Sequence, residues 1–201
     1  MGLSRVKYIS NPLILDKYEF KVRHHFQPKL LWVRAFDEIY NPMLALKTLQ
    51  LLVKKYPEAE LCMVGPDKDG SLSAVKKYAL KHKLPVTITG KLKKKEWISL
   101  SAAYDIFINT SDIDNTPVSV IEAMALGLPV VSTNVGGIPY LIEEGETGLM
   151  VNPKDPEAMT EKIISLLEDP AKAMRMAKNG REKTKEFDWE FIKEEWNKVL
   201  T

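Results

Sequence analysis

Short runs of uninterrupted apolar residues alternate with helical patterns along most of this 201-residue chain, and no other feature constrains its fold as tightly. Residues 30–33 (Leu-Leu-Trp-Val), 61–64 (Leu-Cys-Met-Val), 86–89, 106–108 (Ile-Phe-Ile), 130–132 and 148–151 read as strands. A strand that is apolar at every position, rather than at every second one, has both faces covered. Helical patterns separate these runs at about 42–56, 71–82, 94–103, 116–127 and 138–143, with Asn41 and Thr116 as the expected N-caps of the first and fourth. Strand and helix in alternation give a parallel sheet with helices on both faces. Right-handed crossovers then bring every strand-to-helix loop to the carboxyl edge of the sheet, where open sheets of this kind bind ligands. The segments to search for function are therefore 34–41, 65–70, 90–95, 110–117 and 133–137.

Beyond Pro153 the pattern is helical throughout, with starts at Asp155-Pro156, Pro170 and Asp188-Trp189. Residues 1–28 are irregular and polar and read as a linker or lead-in. The expectation is one α/β, Rossmann-like domain over residues 29–201, a parallel sheet flanked by helices with a helical C-terminal extension. A balance of 29 Lys+Arg against 27 Asp+Glu argues against a nucleic-acid partner. Cys62 sits alone in an apolar run, as a small buried hydrophobe does. The longest apolar stretch, residues 123–131, is about half a membrane span and is broken by Gly127 and Pro129. A cytoplasmic location is expected.

The segment Ser111-Asp112-Ile113-Asp114-Asn115-Thr116-Pro117-Val118-Ser119-Val120-Ile121-Glu122 is the richest in chemistry. A helix opening at Pro117 leaves the amides of Val118 and Ser119 unpaired, and such an end binds phosphate without side-chain charge. The helix is apolar on nearly every face, interrupted only by Ser119 and Glu122, three residues apart on one side. A carboxylate on a buried helix requires partners. Sugar hydroxyls would serve, and so would an internal ion pair. Asp114 faces the same edge as a hydrogen-bond acceptor, or as a turn residue. Arg34 emerges directly after the first strand, where a guanidinium fits a diphosphate or pairs with Asp37 or Glu38. Asn134-Val135-Gly136-Gly137 is a backbone anion site or a plain turn. The run Lys91, Lys93, Lys94, Lys95 reads as a solvated face, and a phosphate or membrane-surface role would need more charge than it carries. His24, His25 and His82 have no metal-ligand spacing, so no metal is expected.

In order along the chain, residues 114–122, then Ala-Met-Ala-Leu-Gly-Leu-Pro-Val-Val at 123–131, Gly136-Gly137-Ile138 and Glu-Gly-Glu-Thr-Gly-Leu-Met-Val at 144–151 resemble the group 1 family of retaining glycosyltransferases. The similarity runs from about residue 30 to 200 and is to the family's C-terminal, donor-binding domain. The resemblance implies one half of a two-Rossmann-domain enzyme, working with an N-terminal acceptor-binding domain not found before Leu30. It implies sugar transfer from a nucleotide diphosphate sugar as substrate, with retention and without cofactor or metal. Peripheral contact with the inner face of the membrane would come only through the full enzyme. By resemblance Glu122 holds the ribose hydroxyls, Asp114 faces the transferred sugar and Arg34 neutralises the diphosphate. Gly90 and Lys91 match the loop that holds the base, and Thr116, Pro117, Val118, Ser119 and Gly136 lie around the phosphates. The sequence departs from the family in two places: Ile39, Tyr40 and Asn41 stand where a lysine is usual, and Asp114 replaces a glutamate. A non-catalytic nucleotide-sugar-binding module and a nucleotide-sugar epimerase of similar fold are the competing readings.

Overall fold

The computed structural model describes residues 9–200. Of the segment read as a lead-in, residues 1–8 lie outside the described residues. The expected strands form one sheet: β1 (Lys29–Val33), β2 (Glu60–Val64), β3 (Val86–Gly90), β4 (Ile106–Asn109), β5 (Val130–Thr133) and β6 (Leu149–Val151). The order is β3-β2-β1-β4-β5-β6 and every pairing is parallel. The chain builds outward from β1 to β3, then crosses back to β4 beside β1. The carboxyl ends of β1 and β4 therefore flank the point where the strand order reverses, which is the ligand crevice of doubly wound sheets.

Continuous apolarity has the expected cause. Leu30 and Trp32 of β1 enter one core with Leu61, Met63, Ile106 and Ile108, while Leu31 enters the other with Cys62, Val64 and Phe107. The first core is closed by α1 (Pro42–Lys55), α2 (Ser71–Lys81), α6 (Pro156–Glu168) and α7 (Pro170–Lys183). The second is closed by α3 (Lys94–Ser101), α4 (Val118–Ala125) and α5 (Ile138–Leu141). A last helix, α8 (Trp189–Leu200), buries Ile192 but leaves Phe191 and Trp196 half exposed. Among the described residues, no helix is long and apolar enough to cross a membrane.

Residues 9–28 contain only a short 3-10 turn, Leu15–Lys17, yet they are firmly packed. Leu13, Leu15 and Tyr18 are buried in the second core. Leu13 donates to the Phe187 carbonyl at 2.7 Å and accepts from the Trp189 amide at 2.7 Å. Arg23 is almost fully buried, donating to the carbonyls of Tyr104 (3.1 Å) and Gly127 (2.8 Å) and pairing with Asp105 at 3.4 Å. Burial pulls its pKa down, opposed by Asp105. A buried guanidinium with that many acceptors is costly to expose, so it fastens the segment to the turns after α3 and α4.

Candidate functional site at the switch point

Arg34 leaves the end of β1 and turns its guanidinium across the crevice to Asp114, in the loop after β4, with which it forms an ion pair. The side chains are only 16% and 9% exposed, so the pair is shielded from solvent and worth more than a surface bridge. Its partner is thus neither Asp37 nor Glu38. Asp37 instead caps the 3-10 turn Glu38–Tyr40 through the Ile39 amide (3.1 Å) and pairs with Lys68 (3.3 Å). The Tyr40 ring lies 4.6 Å from the Arg34 guanidinium carbon, a cation–π contact. Burial lowers the Arg34 pKa, and Tyr40 opposes this. Its Nε has no acceptor among the described residues.

The three residues at the place of the usual lysine have structural work. The Ile39 carbonyl accepts from the Asp112 amide (2.8 Å), Tyr40 supports Arg34, and Asn41 caps α1 by accepting from the Leu44 amide (3.0 Å). Asn41 also donates to Asp112 at 3.1 Å. These bonds tie the loop after β1 to the loop after β4. Ser111 adds a hydroxyl 3.1 Å from the Asp114 carboxylate, and Thr133 in turn holds the Ser111 carbonyl at 2.6 Å.

Gly136 and Gly137 sit against this loop. The Gly137 amide donates to the Asp114 carbonyl at 3.0 Å. A Cβ on Gly136 would lie 1.9 Å from that carbonyl oxygen, and one on Gly137 would lie 1.6 Å from the Asn115 oxygen. Both glycines are required by close backbone approach. The backbone anion site considered for this turn has lost one amide to that contact.

Helix α4 begins one residue later than expected. Pro117, with an extended ψ of 104°, is the N-cap, and Thr116 stands outside the helix. A proline at the N-cap offers no side-chain acceptor, so no cap side chain occupies the first amides of α4. Ser119 and Glu122 are both buried, 8% and 3% exposed. The Ser119 hydroxyl has no hydrogen-bond partner among the described residues. Glu122 Oε1 accepts from the Tyr18 hydroxyl at 2.6 Å and pairs with Lys94. Burial first, and then Glu122, push the Tyr18 pKa up, which keeps it a donor. The internal ion pair considered for Glu122 is therefore present, and it lies on the wall of a cavity.

That cavity, about 330 Å³, is bounded by Arg34, Glu122, Lys91, Lys94, Tyr40 and a mostly apolar floor of Val33, Val64, Gly65, Pro66, Leu92 and Trp97. Gly65 is pressed against the chain too: a Cβ there would meet the Arg34 carbonyl at 1.7 Å. Its amide donates to the Gly90 carbonyl at 3.0 Å, which joins the loops after β2 and β3. A second cavity, about 480 Å³, opens on the other side of Tyr40 and is lined by Asn11, Ile39, Ile113, Asp114, Asn115 and Thr116 among others. Arg34, Asp114, Glu122, Lys91 and Thr116 are thus gathered around two adjoining cavities. Gly136 lies behind the Asp114 loop rather than on a cavity wall. Tyr18 and Trp97 were not named from the sequence, and Tyr40 entered only as one of the residues at the place of the usual lysine. Lys94 was hidden in a lysine run, although Trp97 three residues on marks the buried side of α3.

Comparison with known proteins identifies the family of the chain. The family model for glycosyl transferases group 1 matches residues 16–183. Sulfoquinovosyl transferase SQD2 of Arabidopsis thaliana is 34% identical over 148 residues, covering 72% of this chain and 28% of its own. Glycogen synthase of Mycobacterium tuberculosis is 26% identical over 196 residues, 95% of this chain and 47% of its own. Among solved structures, sucrose-phosphate synthase from Thermosynechococcus elongatus superposes with a TM-score of 0.82 at 26% identity, over 96% of this chain and 51% of that one. Anabaena HepE, solved in complex with UDP and glucose, gives a TM-score of 0.85 at 21% identity over 96% of this chain and 56% of its own, a likeness of fold. The chain spans about half or less of the length of these relatives. It belongs to the group 1 glycosyltransferase family, and its sheet is one Rossmann-like unit of the fold those enzymes share.

Proposed function

We propose that this chain is the donor-binding half of a retaining glycosyltransferase that moves a sugar from a nucleotide diphosphate sugar to an acceptor. The observation that carries the reading is that Arg34 and Glu122 line one cavity at the carboxyl edge of the sheet, while no cap side chain occupies the first amides of α4. The diphosphate would lie between the free Nε of Arg34 and the amides of Val118 and Ser119. Leaving-group charge would then be met by a fixed cation and a helix dipole, without a resident metal. The second oxygen of Glu122, Oε2, would accept from the ribose, since Tyr18 and Lys94 both converge on Oε1. Asp114 would face the transferred sugar, and Gly90 and Lys91 the base. The apolar face of α8 would be covered by the acceptor-binding half.

A non-catalytic nucleotide-sugar-binding module is the second reading, favoured by one observation: Asp114 already neutralises Arg34, and Tyr40 stands where a second cation would. The test is acceptor-dependent release of nucleoside diphosphate by this chain combined with an acceptor-binding domain, with the anomeric configuration of the product read by NMR. Release with retention supports the transferase. Binding of the nucleotide sugar without release supports the module, and an altered free nucleotide sugar would identify an epimerase.

A further inference from the structure

The charges around the nucleotide cavity do not favour a diphosphate unless one more residue takes part. Arg34 is paired with Asp114, and Glu122 adds a carboxylate to the wall. Two lysines line the same cavity, and of these Lys94 reaches Glu122. Its ammonium has three donors and gives one to Glu122 Oε1. Its side chain is 56% exposed and lines the cavity, so two donors remain for a ligand, and the Trp97 ring lies 5.7 Å from the ammonium, a cation–π contact. Lys94 is also the first residue of α3, so its backbone is fixed, with the turn closed by Glu96 accepting from the Lys93 amide at 2.6 Å.

We infer that Lys94 is a second diphosphate-facing cation of this site, acting directly on the phosphates while it shields Glu122. The inference rests on the donor-binding reading above. A nucleoside diphosphate carries roughly three negative charges at neutral pH, given a terminal phosphate pKa near 6. With Lys94 in place, Glu122 is neutralised locally and does not repel that charge. Without it, the carboxylate faces the ligand uncompensated.

The experiment is calorimetric titration of the 201-residue chain with UDP, GDP and ADP and with uridine, guanosine and adenosine. It is run for wild type, K94M and K94R, and for E122Q with and without K94M. For whichever base the wild type binds, K94M is expected to weaken the diphosphate about tenfold or more beyond any loss for the nucleoside. K94R is expected to stay within about threefold of wild type, and added salt to weaken K94M binding less than wild type. In E122Q, where no carboxylate needs shielding, K94M is still expected to cost the diphosphate about tenfold. Equal losses for diphosphate and nucleoside, or no effect of K94M in E122Q, would overturn the direct role and leave Lys94 as the counter-ion of Glu122. A wild type that binds none of the six ligands would overturn the donor-site reading itself, and with it this inference.

Discussion

Replacing Arg34 with alanine separates the two duties the structure gives this side chain. In the free protein it neutralises Asp114, and both side chains are largely buried. Removing one partner of a fully buried pair costs about 3–5 kcal/mol, because the other charge is left uncompensated. Here Ser111 keeps one hydrogen bond to Asp114, and both groups retain some exposure, so a loss of about 2–3 kcal/mol is expected. For a domain of this size that corresponds to about 5–10 °C in Tm. In the ligand-bound protein the guanidinium meets the diphosphate, and one charge-assisted hydrogen bond is worth about 1.5–3 kcal/mol. Affinity for the nucleoside diphosphate should fall by about 10–150-fold and affinity for the nucleoside hardly at all. Arg34→Lys should recover little, since a lysine offers neither the planar fork nor the stacking on Tyr40. Thermal melting and paired titrations with diphosphate and nucleoside measure both effects. Equal losses for the two ligands would remove Arg34 from the phosphate, and an unchanged Tm would mean that its pairing with Asp114 contributes nothing in solution.

Glu122→Gln should weaken nucleoside and nucleoside diphosphate by a similar factor, about tenfold or more, because the lost acceptor serves the ribose; titration of both ligands checks this. Gly137→Ala forces a methyl group to within 1.6 Å of the Asn115 carbonyl oxygen, so the loop carrying Asp114 must shift. A loss of about 1–3 kcal/mol by chemical denaturation is expected, with weaker nucleotide binding alongside it. The 201-residue chain alone should show no sustained acceptor-dependent turnover with labelled nucleotide sugars. On the donor-half reading, closing the crevice against water requires the acceptor-binding half.

The inner strands were legible because they are buried on both faces, whereas β3 lies at the edge of the sheet and none of its residues is buried. Leu30 and Leu31 enter opposite cores, and a run of that kind has few alternatives. The helix starts were legible where a side-chain cap exists, as at Asn41 and Asp155. At α4, which has no side-chain cap, the start was misplaced by one residue: Thr116 looked like a cap, but Pro117 takes that position. Contacts between distant segments left no local trace. Arg34 finds Asp114 eighty positions away rather than Asp37 or Glu38, and Tyr18 reaches Glu122 from a stretch without regular structure. Spacing reports what shares a helix face, and it is silent about which loops the crossovers bring together. The internal ion pair read for Glu122 is present, and it does not exclude the ligand contact proposed for the same residue, since Tyr18 and Lys94 both meet Oε1.

The central claim is that a nucleoside diphosphate binds at the crevice between β1 and β4, and amide hydrogen exchange with and without a saturating nucleoside diphosphate tests it most directly. Among UDP, GDP and ADP, at least one should bind with a single site. It should slow exchange at Val118 and Ser119 and in residues 90–95, while leaving α6 and α7 unchanged. Protection confined to other surfaces, or none with any of the three at millimolar concentration, would contradict it.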